Sequence, residues 1–184
     1  ETISAIPESY LDTGGLKIYT TLDIQAQKAL ESGVKKNQIN GEIEVAKVMM
    51  NPNNGNILGL IGGINYKKSQ FNRATMSLRQ PGSTIKPFLY YDALLNGFTA
   101  STTFLSQQTT FHFDNGNTYS PSNSGNIYGN QDISLAAAIA YSDNIYAVKT
   151  HLFLGEENLV DILRKVGITS NLDSSPSLPL GSYE

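Results

Sequence analysis

The sequence predicts an α+β fold in which an antiparallel sheet is covered by helices on both sides, and three segments carry that prediction. Residues 45–50 and 57–64 are apolar runs separated by Asn54-Gly55, and they read as a hairpin whose strands are apolar on both faces. After Ser83, the residues Ile85, Phe88, Leu89, Tyr90, Tyr91, Ala93, Leu94 and Leu95 leave almost no polar face, which predicts a helix buried on all sides. Residues 133–141 and 145–153 are again apolar and read as a packed helical hairpin with Ser142-Asp143-Asn144 at its elbow. One hairpin is a short strand inventory for such a sheet. A two-stranded unit with hydrophobic open edges is marginal in water, so further strands are expected from a second polypeptide segment.

The remaining elements follow in chain order. Residues 1–15 read as a linker or the tail of an upstream domain, and residues 16–184 as one domain or most of one. Residues 16–22 alternate as a strand does, and residues 24–36 form an amphipathic helix capped by Asp23. Residues 65–82 connect to the buried helix. The stretch 96–132 is rich in loop residues and carries a small hairpin at Phe111-His112-Phe113-Asp114-Asn115-Gly116. A last helix spans residues 156–166 and is ended by Gly167.

Composition narrows the function classes. Thirteen basic against sixteen acidic residues give a net charge of −3 without a basic cluster, so nucleic acid is not an expected partner. With no cysteine there is no thiol catalysis and no thiolate metal site. The two histidines, His112 and His151, lack ligand-like spacing, and no metal or other cofactor is expected. His112 lies between two phenylalanines in an alternating strand and is expected to face solvent. A Ser-His-Asp triad through His151 stays open at this level. Gly59-Leu60-Ile61-Gly62-Gly63 lacks the Gly-Lys-Ser/Thr of a phosphate loop and is better read as close packing within a strand. No apolar run approaches the ~20 residues of a membrane span, so an anchor is expected upstream of Glu1.

The chemistry is concentrated in Ser83-Thr84-Ile85-Lys86, framed by Arg79-Gln80-Pro81-Gly82. Three residues apart on a helix, a hydroxyl and an amine share one face about 4.5 Å apart along the axis, so Lys86 can polarise Ser83 directly. The same spacing recurs at Ser32-Gly33-Val34-Lys35, but at the polar end of an amphipathic helix, where the lysine is expected to be solvated. Ser83 as a simple helix cap, with Lys86 reaching solvent, is the competing reading. Gly82 allows close backbone approach, and the free N–H groups of the first turn favour negative charge near Ser83. Pro87 is tolerated because the helix has barely begun, which puts the helix start at Ser83.

Ser142-Asp143-Asn144 is the second polar cluster, and a tripeptide of this kind in a buried elbow points at a cleft. Ser124-Gly125-Asn126 repeats the pattern in a stretch that is loop by composition. Ser142 and Asn144 could instead cap the following helix, and Asp143 is read as a structural carboxylate at that helix's N-terminus, worth a fraction of a kcal/mol.

Together these residues resemble the serine penicillin-recognising enzymes, which share Ser-x-x-Lys, Ser-x-Asn and Lys-Thr-Gly. The similarity is greatest to the transpeptidase domain of class A (bifunctional) penicillin-binding proteins. It extends to Gly15-Leu16-Lys17-Ile18-Tyr19-Thr20-Thr21-Leu22-Asp23, to Asn51-Pro52-Asn53-Asn54-Gly55-Asn56-Ile57-Leu58-Gly59-Leu60-Ile61-Gly62-Gly63, to Asn72-Arg73-Ala74 and to Tyr119-Ser120-Pro121-Ser122-Asn123. No Lys-Thr-Gly or Lys-Ser-Gly follows. The resemblance therefore implies an α/β/α sandwich around an antiparallel sheet with an all-helical subdomain, incomplete in this chain, and activity only with a C-terminal fragment of the same domain.

The implied reaction is D,D-transpeptidation of peptidoglycan stem peptides ending in D-Ala-D-Ala, through an ester on Ser83 that β-lactam antibiotics would also form. The resemblance implies Lys86 as the favoured base, Ser142 as a proton relay and Asn144 as a contact for the substrate's backbone amide. An upstream glycosyltransferase domain and a place on the extracellular face of the bacterial cytoplasmic membrane are further implications. Two alternatives remain. A class A β-lactamase would need a carboxylate to activate water, and Ser175-Pro176-Ser177-Leu178-Pro179-Leu180 holds none where it is expected. A non-enzymatic β-lactam sensor fits less well with about eighty residues before Ser83 that look like a linker to a glycosyltransferase domain.

Overall fold

The computed structural model describes residues 15, 17–37 and 43–183, which belong to two compact units, residues 1–77 and 78–184. Apart from Gly15, the expected linker at residues 1–15 lies outside the described residues. In the first unit, helix α1 (Ile24–Lys36) starts at Asp23, whose carboxylate accepts the N–H of Gln25 at 2.7 Å and of Ala26 at 3.0 Å. Strands β1 (Lys47–Met50) and β2 (Ile57–Ile61) pair antiparallel, with Lys47 opposite Ile61 and Met49 opposite Gly59. Gly55 turns the chain at φ +73°, a conformation that favours glycine.

The expected strand at residues 16–22 is not formed: residues 17–22 are irregular, and residue 16 lies outside the described set. The reason lies at the free edge of β2, which is taken by single contacts rather than a ladder. Thr21 Oγ1 donates to the Ile57 carbonyl at 2.6 Å and the Asp23 N–H to the Leu58 carbonyl at 2.9 Å. The Gln27 amide then takes both backbone groups of Leu60, at 2.8 and 3.1 Å. Gly59 is packed so closely that a Cβ would come 2.9 Å from Leu30 Cδ1, which supports the packing account of this glycine-rich strand. Val48, Met50 and Ile57 stay exposed, so burial on both faces is not realised among the described residues. The connecting segment contains a short helix, α2 (Arg73–Met76), capped by Asn72.

The second unit is built around helix α3 (Lys86–Leu95), entered through a 3₁₀ turn (Gly82–Ile85) rather than starting at Ser83. Pro87 explains the shift. It has no N–H for the Ser83 carbonyl, and the tighter turn lets the Lys86 N–H satisfy that carbonyl instead. Lys86, Leu89, Tyr90, Asp92 and Ala93 form the buried face of α3, whereas Tyr91, Leu94 and Leu95 are exposed. The helix is thus buried on one side, not on all sides.

Strand β3 (Thr103–Ser106) was not legible within the loop-rich stretch. Downstream, β4 (Phe111–His112) pairs with β5 (Thr118–Tyr119), and β3 pairs with β6 (Gln131–Ser134). His112 faces solvent between half-buried Phe111 and Phe113, as alternation requires. Helix α4 (Leu135–Tyr141) begins two residues later than its apolar run, because Ile133 and Ser134 belong to β6 and Ser134 caps the helix through the Ala137 N–H. Helices α5 (Asn144–Leu154) and α6 (Glu156–Lys165) complete the unit, and Gly167 follows at φ +93°. The described strands form three separate two-stranded antiparallel sheets.

Leu89, Tyr90, Leu135, Tyr146, Leu159, Leu163 and Leu178 fill the core of this unit. Each buried leucine contributes about 1.5–3 kcal/mol relative to exposure. Tyr146 anchors the centre: its ring stands edge-on to Tyr90 and Phe104, and its hydroxyl donates to the Thr102 carbonyl at 2.7 Å. This core holds α3 against α5, and that places the two polar motifs on facing elements.

Candidate active site

Lys86 stands at the first residue of α3, 3% exposed, with its ammonium reaching across to the α4–α5 elbow. Its Nζ donates to the Ser142 carbonyl at 2.7 Å, to Asn144 Oδ1 at 2.7 Å and to Ser142 Oγ at 3.1 Å. Three donors meet three acceptors, so the charged form is fully partnered. Burial nevertheless pulls its pKa from 10.5 down to about 8, with the Asp143 carboxylate opposing that fall. A lysine in this state gives up its proton far more readily than one in water.

The acceptors are presented by an unusual turn. Ser142 adopts φ +53° and ψ +45°, the left-handed region that is costly for a residue with a Cβ. Its neighbour Asp143 is 4% exposed and ties the turn down. Asp143 Oδ1 accepts the Tyr146 N–H at 2.7 Å as the cap of α5, while Oδ2 accepts from Ser106 Oγ at 2.5 Å and Asn123 Nδ2 at 2.7 Å. The reading of Asp143 as a weak helix-end charge is therefore too modest: it is a buried hub joining β3, the loop that carries Asn123 and α5. Asn123 Oδ1 accepts the Asn144 N–H at 2.8 Å, and Asn144 Nδ2 donates to the Ser122 carbonyl at 2.7 Å.

Ser83 lines a cleft of about 370 Å³ together with Lys86, Pro87, Tyr90, Tyr91, Leu94, Ile139 and Ser142. The structure thus brings Lys86, Ser142 and Asn144 into direct contact and sets Ser83 on the same cleft. The expected direct Ser83–Lys86 hydrogen bond is not formed. The ammonium's hydrogens are engaged at the elbow, and the exposed Ser83 hydroxyl has no hydrogen-bond partner among the described residues. The alternative of a solvated Lys86 is also not what the structure has. Lys35, in the competing Ser-x-x-Lys copy, is exposed, and Ser124-Gly125-Asn126 forms an exposed loop turn.

His151 is fully buried on α5, with Nε2 at 3.0 Å from the Ser175 carbonyl, and it makes no hydrogen bond to a serine hydroxyl among the described residues. Behind the turn that carries Ser83, the Gly181 carbonyl accepts the Gly82 N–H at 3.2 Å. A Cβ on Gly181 would fall 2.2 Å from the Gly82 oxygen, so this loop lies directly against the chain before Ser83. Ser106, Asn123 and Gly181 were missed as site residues from sequence. Asn123 had a signal in Tyr119-Ser120-Pro121-Ser122-Asn123, but Ser106 sits in a strand that composition concealed.

Ser83 in the turn that enters α3, a buried Lys86 held by the Ser142–Asn144 elbow, and a cleft shared by Ser83, Lys86 and Ser142 are the arrangement that the penicillin-recognising resemblance predicts. Residues 45–177 match the penicillin binding protein transpeptidase domain family, and the chain belongs to it. It is 48% identical over 174 residues to penicillin-binding protein 2D of Bacillus subtilis, covering 94% of this chain and 25% of that protein. It is 38% identical over 154 residues to penicillin-binding protein 1A of Aquifex aeolicus, covering 83% and 21%. The crystal structure of penicillin-binding protein 1A from Haemophilus influenzae superposes with a TM-score of 0.71 at 33% identity, over 76% of this chain and 21% of that one. The fold is that of a penicillin-binding transpeptidase, and the chain spans about a quarter or less of the length of these relatives.

Proposed function

We propose that the chain is the N-terminal part, residues 16–184, of a D,D-transpeptidase domain that cross-links peptidoglycan stem peptides through an acyl-enzyme on Ser83. The observation that carries the reading is the buried Lys86 Nζ, held by Ser142 and Asn144 on the cleft that Ser83 lines. When Lys86 loses its proton, the two 2.7 Å contacts to pure acceptors keep its remaining hydrogens, and Ser142 Oγ, which can donate as well as accept, turns its hydrogen toward the lone pair. A hydroxyl that switches role in this way is suited to relay protons.

In the acylation step Ser83 Oγ bonds to the carbonyl carbon between the two terminal D-alanines, and its proton passes to Lys86 Nζ as the Ser142 hydroxyl hydrogen turns off the amine's lone pair. The carbon–nitrogen bond then breaks, and the proton travels through Ser142 Oγ to the departing D-alanine nitrogen. An acceptor amine attacks the ester, losing a proton along the same path to restore the Ser83 hydroxyl. Asn144 Oδ1, with a lone pair beyond its contact to Lys86, accepts the substrate's backbone N–H and orients the scissile carbonyl. β-Lactams enter the same first step and leave an ester. The finer points of the reading are a C-terminal segment completing the cleft, an upstream glycosyltransferase domain and an anchor in the cytoplasmic membrane. The relatives' greater length supports them.

The test is made on the full-length polypeptide, incubated with stem peptide ending in D-Ala-D-Ala and an amine-bearing stem peptide. Cross-linked product with loss of one D-alanine per link is expected, and none from Ser83→Ala. Equal product from Ser83→Ala would overturn the reading.

A further inference from the structure

We propose that Ser106 and Asn123, which lie outside both the Ser-x-x-Lys and the Ser-x-Asn segments, are positioning residues of the acylation site. Together they clamp Asp143 and Asn144 so that the left-handed Ser142 turn presents its acceptors to Lys86. The inference rests on the acyl-transfer reading above and extends it to two residues on other elements.

The geometry is specific. Ser106 is fully buried and Asn123 is 8% exposed. Ser106 Oγ donates to Asp143 Oδ2 and itself accepts the Gly129 N–H at 3.2 Å, so its hydroxyl orientation is fixed from both sides. Asn123 uses its whole amide: Nδ2 donates to Asp143 and to the Ile127 carbonyl at 2.9 Å, and Oδ1 accepts the Asn144 N–H. Removing either side chain leaves buried polar groups unpaired, and the positive φ at Ser142 then has less holding it in place. The Ser142 carbonyl and Asn144 Oδ1 would drift from Lys86 Nζ, and displacements of this kind propagate to the reacting atoms.

The charges around Asp143 set the readout. Lys86 and Tyr90 feel it from α3 and Lys149 from α5, and Asp132 on β6 acts on Lys149. Asp143 raises the pKa of Lys86 against burial. Loosening the clamp weakens that attraction, so Lys86 loses its proton at lower pH.

The experiment compares wild type, Ser106→Ala, Ser106→Thr and Asn123→Ala as full-length polypeptides. Acylation by a fluorescent penicillin is timed across pH 6–9, and each rate is normalised to the titrated fraction of active sites. Ser106→Ala and Asn123→Ala should acylate about tenfold to a hundredfold more slowly per active site, with the acidic limb of the profile moved to lower pH. Ser106→Thr, which keeps the donor, should retain the wild-type limb. A merely structural role would lower the titrated fraction and leave rate and limb per site unchanged, and that result overturns the inference. Absence of Ser83 labelling in wild type would instead bring down the acyl-transfer reading and this inference with it.

Discussion

Raising the pH from 7 to 9 should speed acylation of Ser83 about tenfold and then bring it to a plateau, because the proposed reaction needs Lys86 without its proton. The structure sets the scale. With the Lys86 pKa drawn down to about 8 by burial, the neutral fraction is roughly 9% at pH 7, 50% at pH 8 and 91% at pH 9. A solvated lysine at 10.5 would be neutral at about 0.03% and 3% at the same two extremes, giving a hundredfold rise with no levelling. The profile therefore separates a buried base from an exposed one by its shape as well as its size. The assay is the second-order rate of labelling by a fluorescent penicillin under single-turnover conditions, with Lys86→Met as the control without a base. A flat profile from pH 6 to 9, or a climb that continues past pH 9, would refute the assignment of Lys86 as the base.

Two further consequences concern stability. Because the folded state lowers the pKa of Lys86 from 10.5 to about 8, the unfolded chain binds more protons between those values and folding gains stability as pH rises through that window. The stability of wild type relative to Lys86→Met, measured by denaturant unfolding, should thus shift in favour of wild type from pH 8 to 10; a shift the other way would contradict the burial account. Gly181→Ala places a Cβ 2.2 Å from the Gly82 oxygen at φ +67°, so it should cost at least about 1–2 kcal/mol from the backbone alone and slow Ser83 acylation by displacing the turn before it. Wild-type unfolding and labelling in this variant would show that the loop does not support the nucleophile.

Much of the site was legible because its chemistry is local. Ser-x-x-Lys spacing, a polar tripeptide between two apolar helices, and Asp23 before α1 each encode their structure within a few residues. Long-range pairing was less legible. Strand β3 hides in a loop-rich stretch because only its partner β6, some thirty residues on, makes it a strand, and with β3 hidden, Ser106 had no visible role. The same limit applies to residues 17–22, whose alternation is strand-like but whose neighbour β2 is held by Thr21 and Gln27 side chains. Apolar composition also overstated burial around α3, since hydrophobicity records what a helix can bury and not which faces are covered. The direction of the Lys86 side chain, toward Ser142 and Asn144 rather than Ser83, is a tertiary choice that spacing along one helix does not contain.

The most direct test of the whole account is the position of the covalent bond. Full-length polypeptide treated with benzylpenicillin should gain the mass of one intact drug molecule, and peptide mapping should place it on Ser83, with none on Ser83→Ala and a persistent adduct in wild type. An adduct on another residue, or undiminished labelling of Ser83→Ala, would contradict it.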